Sequence, residues 1–301
     1  MAATFDVVLP SGEALKGYFW VSQNPKKNLV LLTGMNEYAF RYDDLARFLN
    51  KNGIDVYVLD SFGQGLNAKS VDEQEQWPED GFKKNVDAAN ILVEKLKAET
   101  KLPVCLMGHS MGSFMSQSYL ERYPNTVERV ILCGSNGPAL LKLKMGYCLS
   151  KIIVNKKNWN KPGKFLTGMG LGPYAKAVKN RNTDLDWLSY NEDNVDEYIT
   201  DPFCGHMDTQ GFWKEFLKGM SHLYEKKSII SISPKEKVFI IAGDADPVGN
   251  KGKGPNALFK MYQKRGVEDL SIKIYPHMRH EIHNETNHQE VYDDLLAFLL
   301  S

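Results

Sequence analysis

The chain has 301 residues, 43% of them hydrophobic and 25% charged, enough to bury a large core as one domain with an insertion or as two domains. Lysine plus arginine and aspartate plus glutamate each total 37, so the formal net charge is zero, and the balance points to no nucleic-acid partner and no acidic polymer. No apolar run approaches the roughly 20 residues of a membrane span, and Met1-Ala-Ala-Thr-Phe-Asp6 has no basic region followed by an apolar core, so a soluble, cytoplasmic protein is expected.

Residues 4–9 and 14–22 read as two strands joined by the turn Pro10-Ser-Gly-Glu13. Residues 28–33 form a buried strand that runs into Thr33-Gly34-Met35-Asn36-Glu37-Tyr38. Helical periodicity covers 41–51 and stops at Asn52-Gly53. A buried strand at 54–59, a long amphipathic helix at 81–99, a strand at 104–107, a helix at 113–122 and a strand at 127–133 follow. This alternation predicts a mainly parallel sheet with helices on both faces. From about 138 to 232 no strand of that quality occurs. Helical pieces at 139–154, 194–200 and 212–226 are separated by loops, among them Gly168-Met-Gly-Leu-Gly-Pro173. That glycine cluster follows no strand and is read as a flexible loop. A strand at 237–242, a helix at 254–264, a strand at 270–275 and a helix at 289–300 complete the pattern. The expected organisation is an α/β core, residues 1–137 and 233–301, with a helical cap inserted at 138–232. Both ends of the insertion are expected on one edge of the sheet. The four cysteines have no metal-type spacing, and Cys105 and Cys133 lie in apolar strand runs as buried thiols.

The chemistry centres on Gly108-His-Ser110-Met-Gly112, set between a strand and a helix. Its glycines permit a cramped turn that lifts the Ser110 hydroxyl clear of the sheet and aims the first helical N–H groups at whatever Ser110 attacks. A serine needs a base within reach, and the base needs a partner that fixes its tautomer. Such groups belong just beyond the carboxyl ends of later strands. Asp246 follows the strand Phe239-Ile-Ile-Ala242, and His280 follows Ile272-Lys-Ile-Tyr275. Asp244 competes with Asp246, but Pro247 holds the Asp246 backbone extended. His283, one turn past His280, is the rival base. His277, His283 and His288 otherwise read as surface polar residues, and His109 as packing beside Ser110. The oxyanion donors would be the Met35 and Met111 N–H groups. No cofactor and no metal are expected.

Together, Gly108-His-Ser-Met-Gly112, Arg41-Tyr-Asp-Asp-Leu-Ala46, Gly243-Asp-Ala-Asp-Pro-Val-Gly249 and Arg279-His-Glu281 with Asn284-Glu285 resemble the monoacylglycerol lipase and lysophospholipase branch of the α/β-hydrolase fold, the serine aminopeptidase S33-like family. The resemblance spans most of the chain outside the cap. It implies a Ser110–Asp246–His280 triad, no metal, and a small-molecule acyl ester reached under a helical cap. One departure is that the family has His-Gly before the oxyanion residue, where this chain has Thr33-Gly34.

The expected function is therefore a serine hydrolase of carboxylic esters, monoacylglycerol- or lysophospholipid-like, acting through an acyl-enzyme on Ser110. Transient contact with a membrane surface is compatible with that substrate class, and the oligomeric state is left open. A peptidase of the serine aminopeptidase type is the alternative within enzymes. It would be favoured by an acidic cluster for a substrate ammonium, whereas Glu192, Asp193, Asp196 and Glu197 read as a solvated helix start. A non-catalytic ligand-binding protein is the alternative outside them, but nucleophile, acid and base are all present.

Overall fold

The computed structural model describes residues 2–301. Its strands are β1 Ala3–Val8, β2 Ala14–Trp20, β3 Lys27–Leu32, β4 Ile54–Leu59, β5 Val104–His109, β6 Val130–Cys133, β7 Lys237–Gly243 and β8 Asp269–Tyr275. They form one sheet in the order β1-β2-β4-β3-β5-β6-β7-β8. β1 and β2 are antiparallel to their neighbours, and all other pairs are parallel. The inner parallel strands β3 to β7 are largely apolar and buried because both their faces are covered, whereas the edge strand β8 carries Asp269, Ser271 and Lys273. Within β3, Leu29 and Leu31 face one core cluster while Val30 and Leu32 face the other, the two-residue alternation of a strand.

The helices are α1 Asp43–Lys51, α2 Gly81–Thr100, α3 Met111–Arg122, α4 Leu140–Ile153, α5 Lys164–Gly170, α6 Gly172–Ala177, α7 Glu192–Thr200, α8 Gln210–His222, α9 Lys226–Ser231, α10 Lys253–Arg265 and α11 Gln289–Leu300. On one face of the sheet, Leu45 and Leu49 of α1 join Leu295 and Leu299 of α11. On the other, Val86 and Leu92 of α2 pack with Met115 and Tyr119 of α3 and Leu258 of α10. The chain is thus an α/β protein of the expected type, with α4 to α9 inserted between β6 and β7.

Three expectations about the insertion change. The glycine-rich stretch 168–173 is not a loop: it lies across α5 and α6, and the missing side chain at Gly170 lets that turn sit against the Trp213 ring. The expected helix 212–226 ends at His222, and a separate α9 follows the turn in which the Leu223 N–H donates to the Met220 carbonyl. The two ends of the insertion lie at opposite ends of the strands, and not together at the end that carries Ser110. β6 and β7 are parallel, so the chain leaves β6 at its carboxyl end and must return to the amino end of β7. It does so through α9, which packs on α3.

Asp60, directly after β4, is fully buried and accepts a hydrogen bond from the Ala39 N–H at 2.8 Å. Burial pushes its pKa up to about 8. The folded carboxyl therefore keeps its proton up to about pH 8, whereas the unfolded one releases it near pH 4. Its contribution to stability should decline as pH rises between those values, by up to about 1.4 kcal/mol per pH unit. Asp60→Asn should flatten that decline in urea unfolding measured across the range. An unchanged slope would show that Asp60 is ionised in the fold.

Candidate active site

β5 is buried along its whole length and delivers the chain to Ser110, whose backbone sits at φ 50°, ψ −116°. This is a region an L-residue avoids unless its surroundings hold it there. The Ser110 N–H donates to the Cys133 carbonyl at 3.0 Å. The Ser110 carbonyl accepts from the Ser113 N–H at 2.9 Å and the Ser113 hydroxyl at 2.6 Å. A Cβ on Gly108 would collide with the Gly112 carbonyl, and one on Gly112 with the Leu32 carbonyl. Two glycines thus let the first turn of α3 press onto β5 and β3 with Ser110 at the crest.

Asp246 and His280 come from the loops after β7 and β8. Asp246 is fully buried, and its Oδ1 accepts from the Val248 N–H at 2.8 Å. Its Oδ2 lies 3.1 Å from His280 Nδ1, and both atoms are otherwise without a partner. His280 Nε2 is buried and unpaired, and His280 and Ser110 both line one cavity. Met35 and Met111 line the same cavity. Neither of their N–H groups donates to a protein acceptor among the described residues. Gly34 borders Ser110: a Cβ there would stand 3.2 Å from the Ser110 Cβ. Four of the five residues singled out in the sequence therefore line one cavity, and Asp246 lies outside its lining, against His280 Nδ1.

The competing candidates fall elsewhere. Asp244 is exposed. His277 is exposed, and His288 is half-buried with its Nδ1 2.6 Å from the Glu285 carbonyl. His283 is not a surface residue as expected; it is fully buried, stacked on Tyr42 at 5.0 Å between centroids and edge-on to His109 at 4.8 Å. It lies in the short turn Ile282–Asn284, beside the fully buried Ile282. Burial, reinforced by the neighbouring His109, pushes its pKa well down, and it does not line the cavity. Burial, the largest single influence, lowers the His109 pKa, but Glu37 beside it, Glu281 and the His280 carbonyl together raise it. The ligand atoms of His109, Cys133 and His283 lie within 4.8 Å of one another. A metal there would need the Cys133 thiolate, which burial and nearby carboxylates disfavour.

Sequence reasoning missed the polar frame around these groups. Gln64 supplies the support that Thr33 cannot. It accepts from the Thr33 hydroxyl at 2.9 Å and donates to the Gly34 carbonyl at 2.9 Å and to Glu75 at 3.2 Å. Glu37 accepts from the Gly34 N–H and the Tyr42 hydroxyl. Glu281, next to His280, accepts from Arg41 at 2.8 Å, Asn194 at 2.8 Å and Asn284 at 3.0 Å. Burial opposes its charge, but Arg41 and the adjacent imidazoles hold its carboxyl below the usual range. Only the presence of Arg41 and Glu281 in the family-like motifs signalled them; partners 240 residues apart in sequence carry no local pattern.

The cavity has a volume of about 1070 Å³. Ser110, His280, Met35 and Met111 lie at one part of its wall. Most of the rest is apolar and comes from the insertion, including Leu143, Leu166, Trp213, Phe216 and Met220.

A serine held between two close-packed glycines at the end of a central parallel strand, with a carboxylate and an imidazole from later strand ends, defines an α/β hydrolase. The family model described as Serine aminopeptidase, S33 matches residues 23–287, and the chain belongs to that family. It is 25% identical over 284 residues to a monoacylglycerol lipase of Mycolicibacterium smegmatis, covering 92% of this chain and 89% of that one. It is 24% identical to the human monoglyceride lipase, over 93% of this chain and 84% of the relative. Among solved structures, a thermostable carboxyl esterase from Bacillus coagulans superposes with a TM-score of 0.91 at 22% identity, covering 99% and 98% of the two chains.

Arg41 is the cation that balances the buried Glu281, its own side chain only 7% exposed. Arg41→Met should leave that carboxylate uncompensated and cost about 3–5 kcal/mol in urea unfolding. In Glu281→Gln the partner charge is lost but its hydrogen-bond acceptor stays. The Arg41→Met/Glu281→Gln pair should therefore be less destabilised than Arg41→Met alone. Simple additivity of the two would refute the pairing.

Proposed function

We propose that the protein cleaves acyl esters of monoacylglycerol or lysophospholipid type through an acyl-enzyme on Ser110. The observation that carries this reading is the large, mostly apolar cavity that opens onto Ser110, just above the roughly 300–1,000 Å³ usual for ligand sites. As a carboxylic ester hydrolase the protein has to bring a water-poor acyl chain to a polar reaction centre. In this reading residues 138–232 act as a cap over the core formed by 1–137 and 233–301. The cap supplies the apolar wall, and the core supplies the chemistry.

The reaction follows from the groups at the cavity wall. The Ser110 oxygen attacks the ester carbonyl carbon while His280 Nε2 takes the hydroxyl proton. Asp246, facing His280 Nδ1, fixes the tautomer and stabilises the imidazolium. The N–H groups of Met35 and Met111 receive the negative charge that develops on the carbonyl oxygen. Collapse of the intermediate expels the alcohol, which carries away the proton held by His280, and leaves the acyl group on Ser110. Water then attacks the acyl-enzyme, its proton passing to His280 and on to Ser110, and the acid departs. The names of the M. smegmatis and human relatives support a glycerol ester, and that of the Bacillus subtilis phospholipase YtpA, 22% identical over 93% of this chain, a phospholipid ester.

An aminopeptidase would need a carboxylate free to take a substrate ammonium. Glu192, Asp193, Asp196 and Glu197 are exposed on α7 and do not line the cavity. Glu37, Asp184 and Glu281 do line it, but Glu37 is bound by Gly34 and Tyr42, Asp184 by Arg181 at 3.0 Å, and Glu281 by Arg41 and Asn194. That distribution favours the ester.

A fluorophosphonate probe should label the protein once, at Ser110, and not label Ser110→Ala. Asp246→Ala and His280→Ala should each lower kcat by roughly 10³-fold or more, with the double variant little worse than the poorer single one. Near-normal turnover in His280→Ala would remove it as base.

Acyl-chain preference tests the substrate class separately. Each methylene that enters the cavity is worth about 0.8 kcal/mol, close to fourfold in kcat/KM. A series of esters from acetate upward should show kcat/KM climbing to a length limit. A steady fall from acetate would instead assign the enzyme to small esters.

A further inference from the structure

Glu75, in the loop between β4 and α2, is 1% exposed, and Asp208, in the insertion just before α8, is fully buried. Both bind Asn36, the residue after Met35. The Asn36 N–H donates to Glu75 Oε1 at 3.1 Å. Its side-chain amide, with the nitrogen turned to the acceptors it faces, donates to Asp208 Oδ1 at 2.8 Å and to the His206 carbonyl at 3.1 Å. Its carbonyl accepts from the Tyr198 hydroxyl at 2.8 Å and the Gly205 N–H at 3.0 Å. Asn36 is thus held through backbone and side chain at φ 61°.

Glu75 also reaches the other side of Met35. Gln64 Nε2 donates to Glu75 Oε1 at 3.2 Å and to the Gly34 carbonyl at 2.9 Å. The Gly34 carbonyl and the Met35 N–H belong to one planar trans peptide. Fixing the oxygen therefore fixes the direction of the N–H. Glu75 is itself held in place. Its N–H donates to the Gly63 carbonyl at 2.7 Å, and its carbonyl accepts from the Thr209 hydroxyl at 2.7 Å. Its backbone stands at φ 57°, a conformation that a residue with a Cβ keeps only where its surroundings impose it.

The two carboxyl groups have no cation. Glu75 Oε2 and Asp208 Oδ2 are buried without a partner among the described residues. Arg41, whose guanidinium lies over the Tyr198 ring, is committed to Glu281. Burial raises the pKa of both carboxyls: Asp208 up to about 8, even with Asn36 donating to it, and Glu75 well above the usual range, the Asp208 charge adding to the effect. The pair therefore keeps a proton at neutral pH, and a protonated carboxyl is a donor for the free oxygen of its neighbour.

We propose that Glu75 and Asp208 are positioning residues for the oxyanion site, a pair that joins the insertion to the core, fixes Asn36 and Gln64, and so aims the Met35 N–H. The use made of that N–H rests on the ester-hydrolase reading; the clamp on Asn36 does not. A misdirected donor fails the tetrahedral adduct and leaves ester binding unchanged, so the loss falls on kcat.

The full-length parent is compared with Glu75→Ala, Asp208→Ala, Glu75→Gln and Asp208→Asn on a dissolved short-chain ester. Rates are expressed per Ser110 site titrated with a fluorophosphonate, so unfolded protein is not counted. Glu75→Ala should lower kcat at least tenfold with KM changed by less than about threefold, and Asp208→Ala should do the same to a smaller extent. Glu75→Gln and Asp208→Asn keep the acceptor for Asn36 and carry an N–H in place of the shared proton, so they should recover most of the loss. An alkylboronic acid adds to the Ser110 oxygen as a tetrahedral borate while His280 takes the hydroxyl proton. Its binding to Glu75→Ala should weaken by the factor that kcat loses. Amide hydrogen exchange at Asn36 should be at least tenfold faster in Glu75→Ala, with α3 unchanged. A parent-like kcat per site in Glu75→Ala, amide variants no better than the alanine ones, or unchanged exchange at Asn36 would overturn the proposal. If Glu75→Ala gives no titratable sites, Asp208→Ala decides by the same measurements. A parent that takes neither the fluorophosphonate nor the boronic acid would refute the ester-hydrolase reading, and exchange at Asn36 would still decide the clamp.

Discussion

The site depends on how closely α3 approaches the sheet. At Gly112 the helix backbone lies against the Leu32 carbonyl of β3, and at Gly108 the strand lies against the Gly112 carbonyl, with no room for a Cβ at either point. That contact fixes the start of α3 relative to two strands at once. The single residue left to bridge strand and helix, Ser110, must take up the strain at φ 50°. Backbone strain of this kind costs on the order of 1–3 kcal/mol. It persists because the Ser110 N–H, the Ser110 carbonyl and the turn after it are all committed to hydrogen bonds. The same contact carries the end of β3 alongside, which is why Gly34 arrives next to Ser110.

Around this fixed point the protein buries an unusual density of polar groups. Glu37, Glu75, Asp246, Glu281 and Glu285 are all within 2% of full burial. Most are occupied: Glu285 accepts from the Ser189 hydroxyl at 2.8 Å, the Tyr190 N–H at 3.0 Å and the Arg279 N–H at 2.7 Å. Arg279 in turn donates to the Ser189 carbonyl at 2.9 Å and lies 3.9 Å from the centre of the Tyr190 ring. The Glu281 N–H donates to the Leu188 carbonyl at 2.7 Å. The loop that carries His280 is therefore cross-linked to residues 186–194 of the insertion by buried hydrogen bonds. The ties to α4 to α6 are fewer: Trp213 Nε1 donates to the Thr167 hydroxyl at 2.8 Å and Lys144 pairs with Glu225 at 2.9 Å. Beyond these, α4 rests chiefly on α8.

The fold was legible because its signals are local. Each strand is a short apolar run, each core helix has a 3.6-residue stripe, and the alternation of the two dictates a parallel sheet. The serine motif was equally local. The insertion was harder to read. Glycines at 168, 170 and 172 suggest a loop, yet helix is restored by tertiary contact with Trp213. Tertiary context also overrides the polar character of His283, which is buried against Tyr42 and His109. The Arg41–Glu281–Asn194 frame and the Gln64 support could not be read at all, since each joins residues far apart in sequence. Burial, which makes those pairings matter, is a property of the assembled fold.

In the proposed reaction, the most telling feature of the site is what it leaves unsatisfied. The buried His280 Nε2 has no partner, and the Met35 and Met111 N–H groups have no protein acceptor. A buried polar group without a partner costs about 1–3 kcal/mol. Here His280 Nε2 is such a group, and it shares the wall of one cavity with the two open N–H groups, while the carboxylates around them are bound. A ground-state ester is planar at its carbonyl carbon and brings no full negative charge for the two N–H groups. A tetrahedral adduct on Ser110 brings an oxyanion to them and a proton to the imidazole together. The polarity that the fold leaves open is thus repaid at the transition state in preference to the substrate, and this difference in binding is what lowers the barrier.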